Sequence, residues 1–402
     1  MFTLDTVRAA EAALLGRFRR TELIHSHYFS ERLGYPLFFK CENLQRTGSF
    51  KVRGAFNFVA NQQPERLQRG LVTASAGNHA QGVAFAAAQA QVPALVVMPE
   101  STPIAKILAT RDYGAEVLLH GANYDEAAIL ARRLEADKGM LYVPAFDHEL
   151  IMAGQGTVGL EIMEELADAD TVVVPIGGGG LIAGVATAVK GIKPDTRVIG
   201  VEAAGAPAAL MSRRQGRIVS LAAAHSLADG IVLKQIGQNT FPVIEELVDE
   251  ILTVEEEEIA HAIVSLMEKA KLVVEGAGAV GLAALLYGQK GLAVGKTVVV
   301  LSGGNIDVQT ISRVVERGLL AQGRFLKIRV ELDDTPGALA SLATLVAALG
   351  GNIFHVSHDR RASGVPLGRA EVHLELETKG PEHIAEILTG LRNKEYGASI
   401  LH

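Results

Sequence analysis

Lys51 lies in the run Ser49-Phe50-Lys51-Val52-Arg53-Gly54-Ala55, beside an aromatic ring and at the start of a pattern that predicts a helix over residues 51–61. Desolvating an ammonium group is costly, so a lysine there is poor packing material. The same setting favours a neutral amine, which can attack an aldehyde or move a proton. Lysines near apolar residues also snorkel to solvent, so Lys51 by itself decides nothing. Three other stretches carry small polar residues and glycine: residues 75–82, 177–181 and 302–305.

Each has its own chemistry. Gly177, Gly178, Gly179, Gly180 and Leu181 follow a predicted strand at 172–176 and precede a predicted helix reaching 189. Glycines let backbone N–H groups approach an anion, and a helix start favours negative charge, so this run reads as a phosphate cradle or as a tight packing turn. It lacks the Lys-Ser/Thr ending of a nucleotide P-loop and the spacing of a dinucleotide fingerprint. Ser75, Ala76, Gly77, Asn78 and His79 combine a hydroxyl, an amide and exposed backbone at a helix start. That is a carboxylate or oxyanion cradle, or an ordinary N-cap. His79 as a general base would lack any visible acidic orienter. Ser302 opens a further strand-end turn, Ser302-Gly303-Gly304-Asn305. An amine, a phosphate cradle, an amide donor and a hydroxyl are together what a pyridoxal phosphate enzyme requires. The sequence has no clustered Cys/His metal pattern and no G-x-S-x-G elbow.

The elements that must position these residues alternate. Short apolar strands are predicted at 37–40, 71–74, 94–98, 116–119, 140–143, 172–176, 197–201, 251–254 and 297–301, with helices between many of them. Residues 1–33 read as two helical pieces joined at 20–22. The pattern predicts parallel sheets covered on both faces, with ligands at the carboxyl ends of strands. Four acids at 255–258 open a helix, where they oppose its dipole favourably. After residues 317–323 the pattern changes to βαββαβ over 325–402, a ferredoxin-like unit with a half-exposed antiparallel sheet. Residues 322–324 read as the linker.

Composition narrows the class. The chain has 402 residues, a net charge of −7 and no basic tract, which argues against nucleic acid and anionic membrane partners. One cysteine, Cys41, suits a reducing cytoplasm. The start is not a secretory signal. Residues 171–189 carry no charge, yet Pro175 and the four glycines favour strand, turn and helix over a membrane span.

The four runs at 49–55, 75–82, 177–181 and 302–305 resemble the signatures of threonine dehydratases, pyridoxal phosphate enzymes of the tryptophan-synthase β fold. The resemblance covers roughly residues 5–320. It implies an α/β catalytic domain of fold type II over 1–321, with two parallel-sheet lobes and the smaller lobe at about 45–145. By the same resemblance, Lys51 holds the cofactor and moves the α-proton, and Phe50 walls the ring. Asn78 contacts the phenolate oxygen, residues 177–181 the phosphate and Ser302 the pyridine nitrogen. Ser75, Ala76, Gly77, Asn78 and His79 surround the substrate carboxylate, and Glu275 lies near the substrate or serves as a helix N-terminal acid. Serine racemases of the family carry a second serine where Ala76 stands, and a cation-binding aspartate where Ala208 stands, six residues after Glu202. No metal is therefore expected. Residues 325–402 resemble an ACT domain, which implies an isoleucine or valine effector and a homodimer or homotetramer. The activity implied is deamination of L-threonine, with L-serine as a second substrate. A serine dehydratase or racemase, a β-replacement synthase and a non-catalytic amino-acid sensor are the rivals.

Overall fold

The computed structural model describes residues 2–288, 291–292, 295–361 and 365–401. The strands are β1 (Leu23–His25), β2 (Leu37–Lys40), β3 (Leu71–Ala74), β4 (Ala94–Met98), β5 (Glu116–Leu119), β6 (Leu141–Tyr142), β7 (Thr171–Pro175), β8 (Arg197–Ala203), β9 (Glu250–Val254), β10 (Thr297–Val300), β11 (Phe325–Asp333), β12 (Asn352–Asp359), β13 (Arg369–Glu377) and β14 (Ala398–Ile400). They form three sheets, ordered β1-β2-β10-β7-β8-β9, β5-β4-β3-β6 and β12-β13-β11-β14. The chain divides into two compact units, residues 1–308 and 309–402.

The first unit holds the two parallel sheets. Every residue of β3, β4, β7 and β10 is buried, as expected for apolar strands covered by helices on both faces. β1 is the exception to the sequence reading, which had helix on both sides of residues 20–22. Leu23, Ile24 and His25 instead pair antiparallel with Lys40, Phe39 and Phe38, so the sheet edge overrides local preference. The uncharged stretch at 171–189 is β7, the glycine turn and part of the helix Gly180–Ile192. Among the described residues no helix is long and apolar enough to cross a membrane. The acids at 255–258 cap a helix: the Glu255 N–H donates to Glu258 Oε2 at 2.8 Å.

Helix Glu149–Glu165, which the sequence reading left unassigned, ties the unit together. A Cβ at Gly154 would lie 2.6 Å from the Arg53 carbonyl oxygen and 2.6 Å from Gly54 Cα. Its Gly156 meets Gly184 of the helix Gly180–Ile192 in the same backbone-to-backbone manner. The helices carrying Lys51 and the glycine run are thus pressed onto one shared partner. Charge fixes the first of these contacts. Arg53 is 2% exposed and donates to Glu42 (2.8 and 2.8 Å), to Glu161 (2.6 and 2.9 Å) and to Thr157 (3.1 Å). Lys40 adds a second cation 2.8 Å from Glu161. Burial pushes the Glu161 carboxyl up, but the charges of Arg53 and Lys40 outweigh it and leave the group below its ordinary value.

The second unit is a four-stranded antiparallel sheet with helices Ala338–Ala348 and Pro381–Asn393 in the order βαββαβ. Leu326, Ile328, Val330, Val372, Leu374 and Leu376 fill its core. The alternating residues of β11 and β13 stay partly or fully exposed. This unit begins within the helix Val308–Ala321. The segment at 322–324 is bonded into it, since the Gly323 and Arg324 carbonyls accept from the Thr378 hydroxyl (2.6 Å) and N–H (2.9 Å).

Removing one partner from a buried ion cluster strands the others, at a cost of about 3–5 kcal/mol. Arg53→Met is therefore expected to lower stability by that amount, read from the urea midpoint of the first unit. An unchanged midpoint would contradict the clamp.

Candidate active site

A cleft opens at the carboxyl ends of the parallel strands and brings together Phe50, Lys51, Asn78, residues 177–181, Glu275 and Ser302. They come from five separated stretches and are among the residues expected for cofactor and substrate. Asn78, the glycine run and Ser302 arrive just past the ends of β3, β7 and β10, as parallel sheets place their ligands, while Lys51 and Glu275 arrive at the starts of two helices.

Lys51 starts the helix Lys51–Ala60, and its Nζ donates to the Ala145 carbonyl at 3.1 Å. The amine lies 5.3 Å from the centre of the Phe50 ring. Burial pulls its pKa down, the Glu275 charge partly restores it, and the result is about 8. Near neutral pH far more of Lys51 is therefore free amine than for an ordinary lysine, and that is the form that reacts with aldehydes.

The glycine run links β7 to the helix Gly180–Ile192. Gly179 has φ of +93°, a conformation that a side chain would strain. A Cβ on Gly178 would collide with the Phe146 ring. The Gly178 carbonyl is turned away, accepting from the Thr240 hydroxyl at 2.7 Å and the Gly237 N–H at 3.2 Å. Asp147 steadies that neighbouring loop by accepting from the N–H groups of Gln238 and Asn239 at 2.9 and 2.7 Å. The first-turn N–H groups of the helix lack intrahelical partners and suit an anion. A half-buried amine with a depressed pKa opposite a glycine-walled anion cradle fits pyridoxal phosphate: amine for the aldehyde, cradle for the phosphate.

Asn78 begins the helix Asn78–Ala90. Its Nδ2 donates to Glu275 Oε1 at 2.6 Å, and its Oδ1 accepts from Asn305 Nδ2 at 2.8 Å. One Nδ2 hydrogen is thus engaged and one is left for a ring oxygen. Ser302 is 2% exposed at the end of β10 and holds Phe50 through its carbonyl, which accepts the Phe50 N–H at 3.1 Å. Ser75, Ala76 and Gly77 form the turn that delivers Asn78, with the Gly77 N–H donating to Ser75 Oγ at 3.2 Å. They are half-buried and stand beside the cleft lining, not in it.

Two acids and a histidine resolve differently. The His79 ring bonds the Val143 carbonyl through Nε2 at 3.1 Å. Burial and then the Lys51 charge pull its pKa to about 3, so the ring is neutral and turned into structure, and only the backbone of His79 remains for a ligand. Glu202 caps the helix Ala208–Gln215, accepting from the N–H groups of Ala209 and Leu210 at 2.8 and 2.8 Å. Glu275 faces the cleft; burial and then Asp229 raise its pKa to about 7, against Asn78, Lys106 and Lys51. Sequence reasoning missed Ala145, Phe146 and Asp147, which lie in irregular chain between β6 and the helix Glu149–Glu165. Their only sequence signal was the glycine-rich face of the helix that follows.

Comparison with known proteins agrees with this geometry. A family model described as pyridoxal-phosphate dependent enzyme matches residues 14–304. The L-threonine ammonia-lyase of Geobacter sulfurreducens is 58% identical over 401 residues, covering 100% of both chains. That of Thermotoga maritima is 47% identical over 403 residues, again covering 100% of both. Among solved structures, maize serine racemase matches with a TM-score of 0.75 at 34% identity, over 79% of this chain and 98% of that one. With the cleft built for the cofactor and the family model spanning the unit that holds it, the chain belongs to the pyridoxal-phosphate-dependent enzymes and uses pyridoxal phosphate as its cofactor.

Proposed function

We propose that this enzyme is a threonine ammonia-lyase, which converts L-threonine to 2-oxobutanoate and ammonia and also acts on L-serine. The carrying observation is the full-length likeness to two proteins named L-threonine ammonia-lyase. Bound pyridoxal phosphate supplies an electron sink for negative charge at the substrate Cα. Lys51 would hold the cofactor through its amine and, as a free amine, would take the α-proton. The N–H groups of residues 177–181 would hold its phosphate, and Asn78 would support its phenolate oxygen. Ser302 would offer a neutral hydroxyl to the ring nitrogen, where a carboxylate would hold a proton on the ring. The sink is then milder, as suits a reaction in which loss of the β-hydroxyl relieves the charge directly. Ser75 and the backbone N–H groups of Asn78 and His79 orient the substrate carboxylate.

The likeness to serine racemase supports a second reading. Ala76 speaks against it, because a methyl group cannot serve as the base on the opposite face. Intact Lys51, Asn78 and Ser302 in one cleft speak against a sensor without catalysis. Residues 1–321 form the catalytic domain in this proposal and residues 325–402 an ACT-type regulatory domain, joined at 322–324. The βαββαβ order supports that assignment, and with it an isoleucine or valine effector and a homodimer or homotetramer. Cys41, a buried free thiol, suits the cytoplasm.

Purified holoenzyme is expected to release 2-oxobutanoate from L-threonine, to release pyruvate from L-serine more slowly, and to leave D-serine and the handedness of L-serine untouched. Silence with L-threonine alongside turnover of a serine isomer would move the assignment to the serine enzymes. L-Isoleucine or L-valine is expected to shift the half-saturating L-threonine concentration by about 5-fold or more, the usual scale of allosteric coupling. An unchanged curve with both amino acids would contradict the regulatory reading.

A further inference from the structure

We infer that Glu275 is the acid that protonates the departing β-hydroxyl of the substrate, and that Asn305, acting through Asn78, is the residue that orients it. The inference deepens the lyase reading and rests on it.

A chain of hydrogen bonds carries the argument. Asn305 Nδ2 donates to the Thr47 carbonyl at 2.7 Å and to Asn78 Oδ1 at 2.8 Å. A backbone carbonyl only accepts, so the Asn305 amide is fixed with its nitrogen toward both partners. Asn78 must then offer its oxygen to Asn305 and its nitrogen to Glu275, whose Oε1 it meets at 2.6 Å. Oε1 is thereby the acceptor oxygen, and Oε2 is left to carry a proton. The Glu275 backbone is fixed as well, its N–H donating to the Gly303 carbonyl at 3.0 Å. The carboxyl is 4% exposed and lines the same cleft as Lys51.

Its surroundings keep it poised. The turn Asp229–Ile231 lies over it, close enough that a Cβ on Gly230 would stand 3.4 Å from Oε1. Asp229 contributes negative charge there, and Lys106 pairs with Asp229 at 2.6 Å. Asp229, Lys106 and Lys51 are the charged groups that face Glu275, and Asn78 is its hydrogen-bond donor. Burial and Asp229 favour the neutral acid, and the other three favour the carboxylate. An acid balanced near the operating pH is the efficient kind.

The step balances. The Cα–H bond breaks and its proton passes to Lys51 Nζ, while the electron pair becomes the Cα=Cβ bond. The Cβ–O bond breaks with its pair leaving on oxygen, and the proton from Glu275 makes that oxygen water. Lys51 then loses a proton to solvent and Glu275 regains one, so the net change is loss of water. The enamine product hydrolyses to 2-oxobutanoate and ammonia.

L-β-Chloroalanine separates the roles, because chloride leaves without a proton. Glu275→Gln holoenzyme keeps the acceptor for Asn78 and is expected to lose about 100-fold or more of kcat on L-threonine while staying within a few-fold of wild type on L-β-chloroalanine. Equal losses on both substrates would reduce Glu275 to a positioning residue, and no loss on either would remove it from the reaction; both overturn the inference. Asn305→Leu is expected to shift the same ratio in the same direction. In wild type, the ratio of kcat on L-threonine to kcat on L-β-chloroalanine should fall as pH rises through about 7, because the acid must be protonated. A flat ratio would overturn the inference even if the variants fail to fold. Failure of the underlying lyase reading shows separately, as silence of the wild type on L-threonine.

Discussion

One helix sets the geometry on which the chemistry depends. Glu149–Glu165 has bare glycine faces where two other helices lie against it, one beginning with Lys51 and the other with the last glycine of the run. Backbone-to-backbone contact leaves little room for sliding, since interiors are close-packed and respond to a single methylene. The same helix contributes Glu161 and Thr157 to the cluster that grips Arg53, two residues beyond Lys51. The amine and the anion cradle are therefore held at a fixed separation by packing and charge together.

Desolvation is the second theme, and it acts on several groups with different results. Lys51 is pulled toward neutrality, the form its proposed role as nucleophile and base requires. Glu275 is pushed toward neutrality, the form its proposed role as an acid requires. His79 is pulled so far that it is inert, its ring spent on a backbone carbonyl. Arg53, buried as deeply, keeps its charge because two carboxylates surround it. What separates these outcomes is the partner each group finds, not the burial. A raised and a lowered pKa meeting in one cleft are what the proposed acid and base pairing calls for.

Much of this was legible in the sequence, and the remainder failed for identifiable reasons. The strands of both parallel sheets were readable because fully buried strands are continuous apolar runs, and the second unit because β11 and β13 alternate with period two. Lys51, the glycine run, Asn78 and Ser302 were singled out by residue type and by the resemblance, and the fold brings them to one cleft. β1 was misread because its pairing with β2 is set by tertiary contact and not by its three residues. Helix Glu149–Glu165 was left unassigned: it is buried on most sides, so it shows no amphipathic stripe, and its interior glycines mimic a loop. With it went Ala145, Phe146 and Asp147, backbone and packing partners whose types announce no chemistry. Arg53 was visible in the motif, but nothing local told that its charge turns inward to Glu42 and Glu161.

The central claim is that burial makes Lys51 the reactive amine. The most direct measurement adds pyridoxal phosphate to cofactor-free protein across a pH series, traps the product with borohydride and maps the modified peptide. The modified residue should be Lys51, with the attachment rate rising as pH rises through about 8, where the amine loses its proton. Labelling of a different lysine, or a rate that rises only near the ordinary lysine range, would contradict the account.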